Sequence, residues 1–264
     1  MSFVVSWYNE PMEHPKLLKH LRPQQIRDAI AARLPLLLPA GCVECHGSQG
    51  PVGTDTIAAE ELCLAVARQT PAVVAPTIDY GPTGWAVSGP EWGTVDVAGE
   101  QFSAYVKEVL RSLLLMGWPR IIVMIHHQGT DGPEGLAFRK AAVELAFELA
   151  RAERGNGWWG EQPPETHGEA FSRVRVAPTI LPTAAAICHG DHAGHFETSL
   201  AMYLCPDSVD LTQLDRYSFW YADRPDNLAR TSTREDGERY FTAMVNAWVE
   251  ALNHERHGNS GIPA

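Results

Sequence analysis

Short, wholly apolar runs alternate along the chain with longer stretches whose apolar residues recur every three to four positions. Residues 21–33 carry a helical period, and Pro35 ends it by disfavouring the helical region for the residue before it. The run at 36–38 then reads as a buried strand. A glycine-rich loop, 41–54, leads into a helix over 56–68, with Asp55 and Thr56 offering N-cap oxygens. A second strand is expected at 72–78, followed by a Gly/Pro/Trp loop over 79–93. A helix over 100–116 and a strand at 120–125 come next. Pro133 opens a further helix reaching about residue 153, where a proline in the first turn does no harm. After the polar turn around Glu197 and Thr198 a helix runs to Leu204, and an amphipathic helix over 232–254 closes the chain. Strands alternating with helices of this length imply βαβ units and a mostly parallel sheet covered on both faces. The fold class is therefore α/β. No repeat and no convincing boundary interrupts the pattern, so residues 1–264 are read as one domain. The one break in composition is 155–168, where the paired Trp158 and Trp159 suggest a loop packed over a site or a subunit contact.

Composition narrows this little: 45% hydrophobic and 20% charged residues suit an ordinary packed core. Charge is more informative. A net charge of -11 argues against a nucleic-acid partner, which needs a basic surface to release counterions. No stretch approaches the roughly 18 apolar residues of a membrane helix. The first residues show no export signal and the five cysteines are an odd number, so reduced thiols and a cytoplasmic location are expected.

The candidate chemistry lies in the histidines. Six of the 11 fall in three short segments: His46; His126 and His127; His189, His192 and His195. Each follows or lies near an apolar run, and in open α/β sheets the loops leaving the carboxyl ends of strands line the ligand crevice. Glu44 and His46, two apart, project to the same side of an extended backbone. Asp55 follows, and a carboxylate of this kind can bridge two metals. Mixed nitrogen and oxygen donors suit Zn²⁺ or Mn²⁺. His126 and His127 end the strand 121–125 and point to opposite faces, so one of them is expected to reach the site. Asp191, His192 and Glu197 combine a possible ligand, a proton-transfer residue and an orienting carboxylate, against the plainer reading of a polar helix start.

Other templates fail. Residues 47–53 lack the Gly-Lys-Ser/Thr ending of a P-loop, and there is no G-x-S-x-G elbow. Cys42-Val-Glu-Cys45-His46 matches the C-x-x-C-H of c-type haem attachment, but haem attachment requires export. The two cysteines read better as small buried fillers.

Pro39-Ala-Gly-Cys-Val-Glu-Cys-His-Gly followed by Gly53-Thr-Asp resembles the opening signature of the creatininase family, and His192-Ala-Gly-His-Phe-Glu-Thr-Ser resembles its His-Ala-Gly-x-x-Glu-Thr-Ser. The Gly93-Thr94 loop is a weaker match. The resemblance implies a single-domain, three-layer α/β sandwich, a centre of one or two divalent metals (Zn or Mn) and a hexameric or other homo-oligomeric assembly. It implies metal ligation by Glu44, His46, Asp55 and His127, acid/base roles for Asp191 and His192, and a supporting or ligating Glu197. It also implies hydrolysis by metal-activated water of a small-molecule cyclic amide or formamide C–N bond; the alternative within the family is C–C hydrolysis opening a cyclic ketone such as an oxidised inositol. An inactive binding protein on the same scaffold is a further alternative, disfavoured by retention of Asp191 with His192. Two departures point away from creatinine as substrate. Gly129 stands where creatininase has a ligating glutamate, and His195 where many members carry Glu, leaving His126, His195 or Glu197 to complete a second metal's ligands.

Overall fold

The computed structural model describes residues 15–161, 168–217 and 219–256. Its centre is a five-stranded, all-parallel sheet of β1 (Lys16–Leu17), β2 (Leu36–Ala40), β3 (Val73–Val74), β4 (Ile121–Ile125) and β5 (Val174–Pro178), in the order β1-β3-β2-β4-β5. Strands β2 and β4 are buried at every position, as expected of a parallel sheet covered on both sides. The period of two divides their side chains between two cores. Leu37, Ile122 and Met124 pack with α2 (Thr54–Gln69), α6 (His195–Leu204) and α7 (Arg234–Arg256). Leu36, Leu38, Ile121 and Val123 pack with α1 (Pro23–Ala31), α3 (Gly99–Met116) and α4 (Pro133–Arg154). The result is a three-layer α/β/α arrangement.

Several boundaries differ from expectation, each for a local reason. The strand read at 72–78 pairs regularly only at Val73–Val74, with a lone bridge from Ala40 to Ile78; Pro76 has no N–H to give the ladder. Helix α2 begins at Thr54, one residue ahead of its expected cap. The Asp55 carboxylate is turned inward to two histidines instead of onto the helix amides. Strand β5 was missed, because Val174-Arg-Val-Ala-Pro is short and carries an arginine. So was the antiparallel pair β6 (Asp223–Arg224) and β7 (Asn227–Leu228). A short helix α5 (Gly168–Ser172) precedes β5. Of the tryptophan-bearing segment, residues 162–167 lie outside the described residues. Trp158 packs on Phe147 and Phe171, next to the amino ends of the strands, so it does not cover a site at their carboxyl ends. No helix among the described residues is long and apolar enough to cross a membrane.

The order of strands matters for function. The chain passes from β2 to β3 on one side, then returns across β2 to β4 on the other. The loops leaving β2 and β4 therefore diverge and open a crevice at a topological switch point.

Candidate metal centre

Both diverging loops carry donors, and α2 and α6 deliver two more. Gly41 is what lets α2 approach. A Cβ there would lie 2.8 Å from the Asp55 carbonyl carbon and 2.9 Å from the Thr56 nitrogen, so only glycine admits the helix start beside the β2 loop. Asp55 then stands between two donor pairs. Its Oδ2 lies 3.0 Å from His127 Nδ1, which is also 3.0 Å from Glu44 Oε1. Its Oδ1 lies 3.3 Å from His46 Nε2, which is 3.4 Å from Glu197 Oε2. Among the described residues three triads have donor atoms within 4.8 Å of one another: Glu44/Asp55/His127 and His46/Asp55/Glu197 share Asp55, and Glu44/His46/His192 lies across them. All five side chains of the two Asp55 triads are buried.

The donor set fits a cation. His46 Nδ1 donates to the Glu44 carbonyl oxygen at 3.1 Å, which leaves the Nε2 lone pair facing two carboxylates. That Nε2 is buried and has no hydrogen-bond partner. Burial alone would lower the pKa of His46, yet Asp55, Glu197 and Glu44 overrule it and hold the ring up at about 10. The cluster demands positive charge at that point, and in the metal-free protein a proton supplies it. His127 is raised for the same reason, chiefly by Asp55 against its burial. In turn His46 draws Asp55 well below the ordinary carboxylate range, although its burial acts upward.

The third segment frames the cluster. Asp191 accepts backbone N–H bonds from Gly194 (3.2 Å), Phe196 (2.8 Å) and Glu197 (3.2 Å), and so caps the start of α6. Glu197 Oε2 accepts the Ala193 amide at 2.7 Å, with Ala193 held at φ 55°. The His192 ring lies 4.5 Å from that of His46, its Nδ1 3.7 Å from Glu44 Oε1, and its Nε2 3.0 Å from the Cys45 carbonyl oxygen. Unlike the five donors, it is partly open to solvent, and it lines a cavity of about 500 Å³ with Glu44, Asp55, His127 and Asp191. Gln49 Nε2 ties this segment to the β2 loop through the Ala193 carbonyl and Thr198 Oγ1.

The expectation that one histidine of the β4 pair reaches the site needs correction. Strand pairing ends at Ile125, and His126, packed against Phe196 and Thr179, brings Nε2 to 3.5 Å from Glu197 Oε1. His195 lies apart, on Thr231 and Asp236. Cys42 and Cys45 are buried against protein, which leaves no face for a porphyrin; burial pushes the Cys42 thiol up to about 12.

Sequence reading missed two residues. Tyr221, from the segment before β6, sets its ring 5.0 Å from His192 and its hydroxyl on Cys45 Sγ. Glu134, in the first turn of α4, is fully buried, and neither oxygen has a hydrogen-bond partner among the described residues. Burial pushes its carboxyl up to about 8; His127 opposes the rise, and Asp55 and Glu44 add to it. An acid near a helix N-terminus looks like routine dipole complementation, so only the fold exposes it.

Against this geometry, comparison with known proteins is consistent. The family model described as creatininase (creatinine amidohydrolase) matches residues 19–252. A creatinine amidohydrolase of Pseudomonas putida is 26% identical over 244 residues, covering 83% of this chain and 89% of that protein. A mycofactocin precursor peptide peptidase of Mycolicibacterium smegmatis is 28% identical over 250 residues, covering 86% and 87%. Among solved structures, a creatinine amidohydrolase matches in fold with a TM-score of 0.70 at 23% identity, covering 91% of this chain and 98% of that one.

Proposed function

Because the chain belongs to the creatininase family and is a hydrolase of that family, we propose that it cleaves an amide-type C–N bond of a small molecule, a cyclic amide or formamide, and that creatinine is not its substrate. The observation that carries this reading is the Asp55 carboxylate, shared between two donor pairs with the solvent-reachable His192 beside them. Glu44, His127 and Asp55 would hold one divalent ion, and His46, Glu197 and Asp55 a second, with Zn²⁺ or Mn²⁺ suited to such donors. Ions so placed lower the pKa of water and polarise a carbonyl.

The protein's own contribution is position and proton transfer. His192 would deliver a proton to the leaving nitrogen, placed for it by its position beside the donor cluster on the cavity wall. Asp191, engaged by three amides, would act by fixing the backbone that carries His192. The cavity of about 500 Å³ suits a small molecule. Both named relatives act on amide-type bonds by their descriptions, which favours C–N over C–C cleavage. Homo-oligomerisation is proposed on the exposed α4 stripe of Leu136, Val143 and Phe147.

The test is a turnover panel of lactams, formamides, short peptides and oxidised cyclitols with zinc- and manganese-loaded protein. Activity confined to lactams or formamides supports the proposal. Turnover of the cyclitols alone replaces it with C–C hydrolysis, and peptides alone move the substrate class.

A further inference from the structure

Beyond the donors, His192 and Asp191, the cavity of about 500 Å³ is walled mainly by apolar side chains. Ala86 and Val87 come from the loop after β3, Pro178 and Ile180 from the end of β5, and Phe196 from α6. These walls are held in place. Val87 packs against the cluster that contains Ala193 and Tyr221, and Ile180 against the core that contains Phe196 and Tyr240. Asp96 braces the loop that carries Val87, its Oδ1 accepting the Thr83 amide at 2.8 Å and the Gly84 amide at 2.6 Å.

The cavity also lacks a cation of its own. No lysine or arginine lines it among the described residues, and positions 1–14, 162–167, 218 and 257–264 contain none. Its charged walls are the carboxylates of Glu44, Asp55, Asp191 and Glu197, whose charge two divalent ions would cancel. An anionic arm on a ligand would therefore lose its water with no cation left to pair with it, which is costly.

One neutral polar side chain stands out among the walls. The Thr179 hydroxyl is engaged by His126 Nδ1 at 2.7 Å, which leaves the Gln128 carboxamide. Gln128 is left-handed at φ 53°, beside Gly129 at φ 62°, a conformation that costs a non-glycine residue about 1 kcal/mol. The loop is shaped around this side chain: a Cβ on Gly132 would fall 2.3 Å from Gln128 Cβ and 2.6 Å from its Oε1. Trp85, one residue before Ala86, and Ala193, one after His192, share the left-handed backbone. Three of the four such non-glycine residues among the described residues thus lie in or beside the cavity lining. Strain gathered in this way points to residues held for binding or catalysis.

We propose that the cavity selects an uncharged amide with an apolar body, a lactam or formamide that carries no acidic group. Val87 and Ile180 receive the body, and the Gln128 carboxamide hydrogen-bonds the amide edge, which makes Gln128 a specificity residue. This rests on the amide-hydrolase reading above and narrows it.

Ligand-observed NMR on the full-length, zinc-loaded protein tests the selection with γ-valerolactam, pyroglutamide and pyroglutamate, which share one ring. The bound fraction reads affinity, and new resonances read ring opening. γ-Valerolactam is expected to bind about tenfold or more tighter than pyroglutamate, with pyroglutamide between them. Val87→Lys should narrow that gap by about threefold or more. Gln128→Gly should weaken γ-valerolactam by about three- to tenfold, the worth of one hydrogen bond. Gln128→Gly relieves the backbone, so its thermal midpoint is expected at or above wild type, and unchanged zinc content in both variants shows an intact donor cluster. Three outcomes overturn the proposal: no saturable binding of any of the three to about 10 mM, pyroglutamate bound as tightly as γ-valerolactam, or γ-valerolactam affinity unmoved by Gln128→Gly. Ring opening is scored separately. Neutral preference without any opening counts against lactam hydrolysis and leaves the selectivity standing, whereas opening with pyroglutamate preferred overturns the selectivity alone.

Discussion

Replacing Glu134 by glutamine in the metal-stripped protein should stabilise it increasingly as pH rises. The glutamate carboxyl goes from 4.5 in the unfolded chain to about 8 in the fold. Below pH 4.5 both states hold the proton, and the contribution of the neutral acid is fully present. As pH rises, the unfolded chain releases its proton first, so stability falls by about 1.4 kcal/mol per pH unit until the folded carboxyl itself ionises near 8. The full loss is about 5 kcal/mol, of which about half falls between pH 5 and pH 7. Glutamine does not ionise and nearly preserves the shape, so the variant escapes this loss. Urea unfolding of both proteins at pH 5, 6 and 7, followed by circular dichroism in the presence of a chelator, measures the difference. Loading zinc should shrink the gap, because nearby cations draw the carboxyl downward. A gap that stays constant from pH 5 to 7 would refute the reasoning, since it would mean that Glu134 is already ionised at the lower pH.

Three further outcomes are expected. Asp55→Asn should bind almost no zinc by elemental analysis, whereas His46→Ala and His127→Ala should each retain about one ion per chain, because Asp55 is the residue common to the His127 triad and the His46/Glu197 triad; equal losses in all three would remove the shared-carboxylate geometry. His192→Gln should keep its metal while kcat falls by roughly 10²- to 10⁴-fold on whichever substrate the panel identifies, and a metal content that fell with it would make His192 a ligand. Trp248→Ala should cost about 3–5 kcal/mol in chemical denaturation, since the ring is fully buried and its Nε1 donates to the Thr179 carbonyl oxygen beneath His126 at 2.9 Å; a loss under about 1 kcal/mol would show that the site collapses without strain.

How much was legible from sequence follows from the range over which each feature is determined. Strands β2 and β4 announce themselves because both of their faces are buried, so the run is unbroken apolar. Strand β5 lies at the sheet's edge, where Arg175 is tolerated, and its signal fades. Glu44, His46, Asp55, His127 and Glu197 were nameable by motif, yet the sharing of Asp55 depends on a close approach at Gly41 that only three dimensions reveal. The Asp191 carboxylate looks like a free acid in sequence because the three amides it caps follow it in the chain and turn back only in the fold. The second histidine of the β4 pair reaches the site because regular pairing ends one residue earlier, a limit invisible to a period of two.

The donor cluster draws one residue set from each of four distant stretches of chain: the β2 loop, the start of α2, the end of β4 and the start of α6. None of these meets another until the crossovers that build the parallel sheet have closed, and such non-local closures are slow to form. A divalent ion that gains its ligands only then binds the finished fold and not its precursors, so its binding energy adds directly to the stability of the folded state. Loss of metal would accordingly be felt first as faster unfolding of α6 and the β2 loop, held together by Gln49, while the sheet beneath them persists.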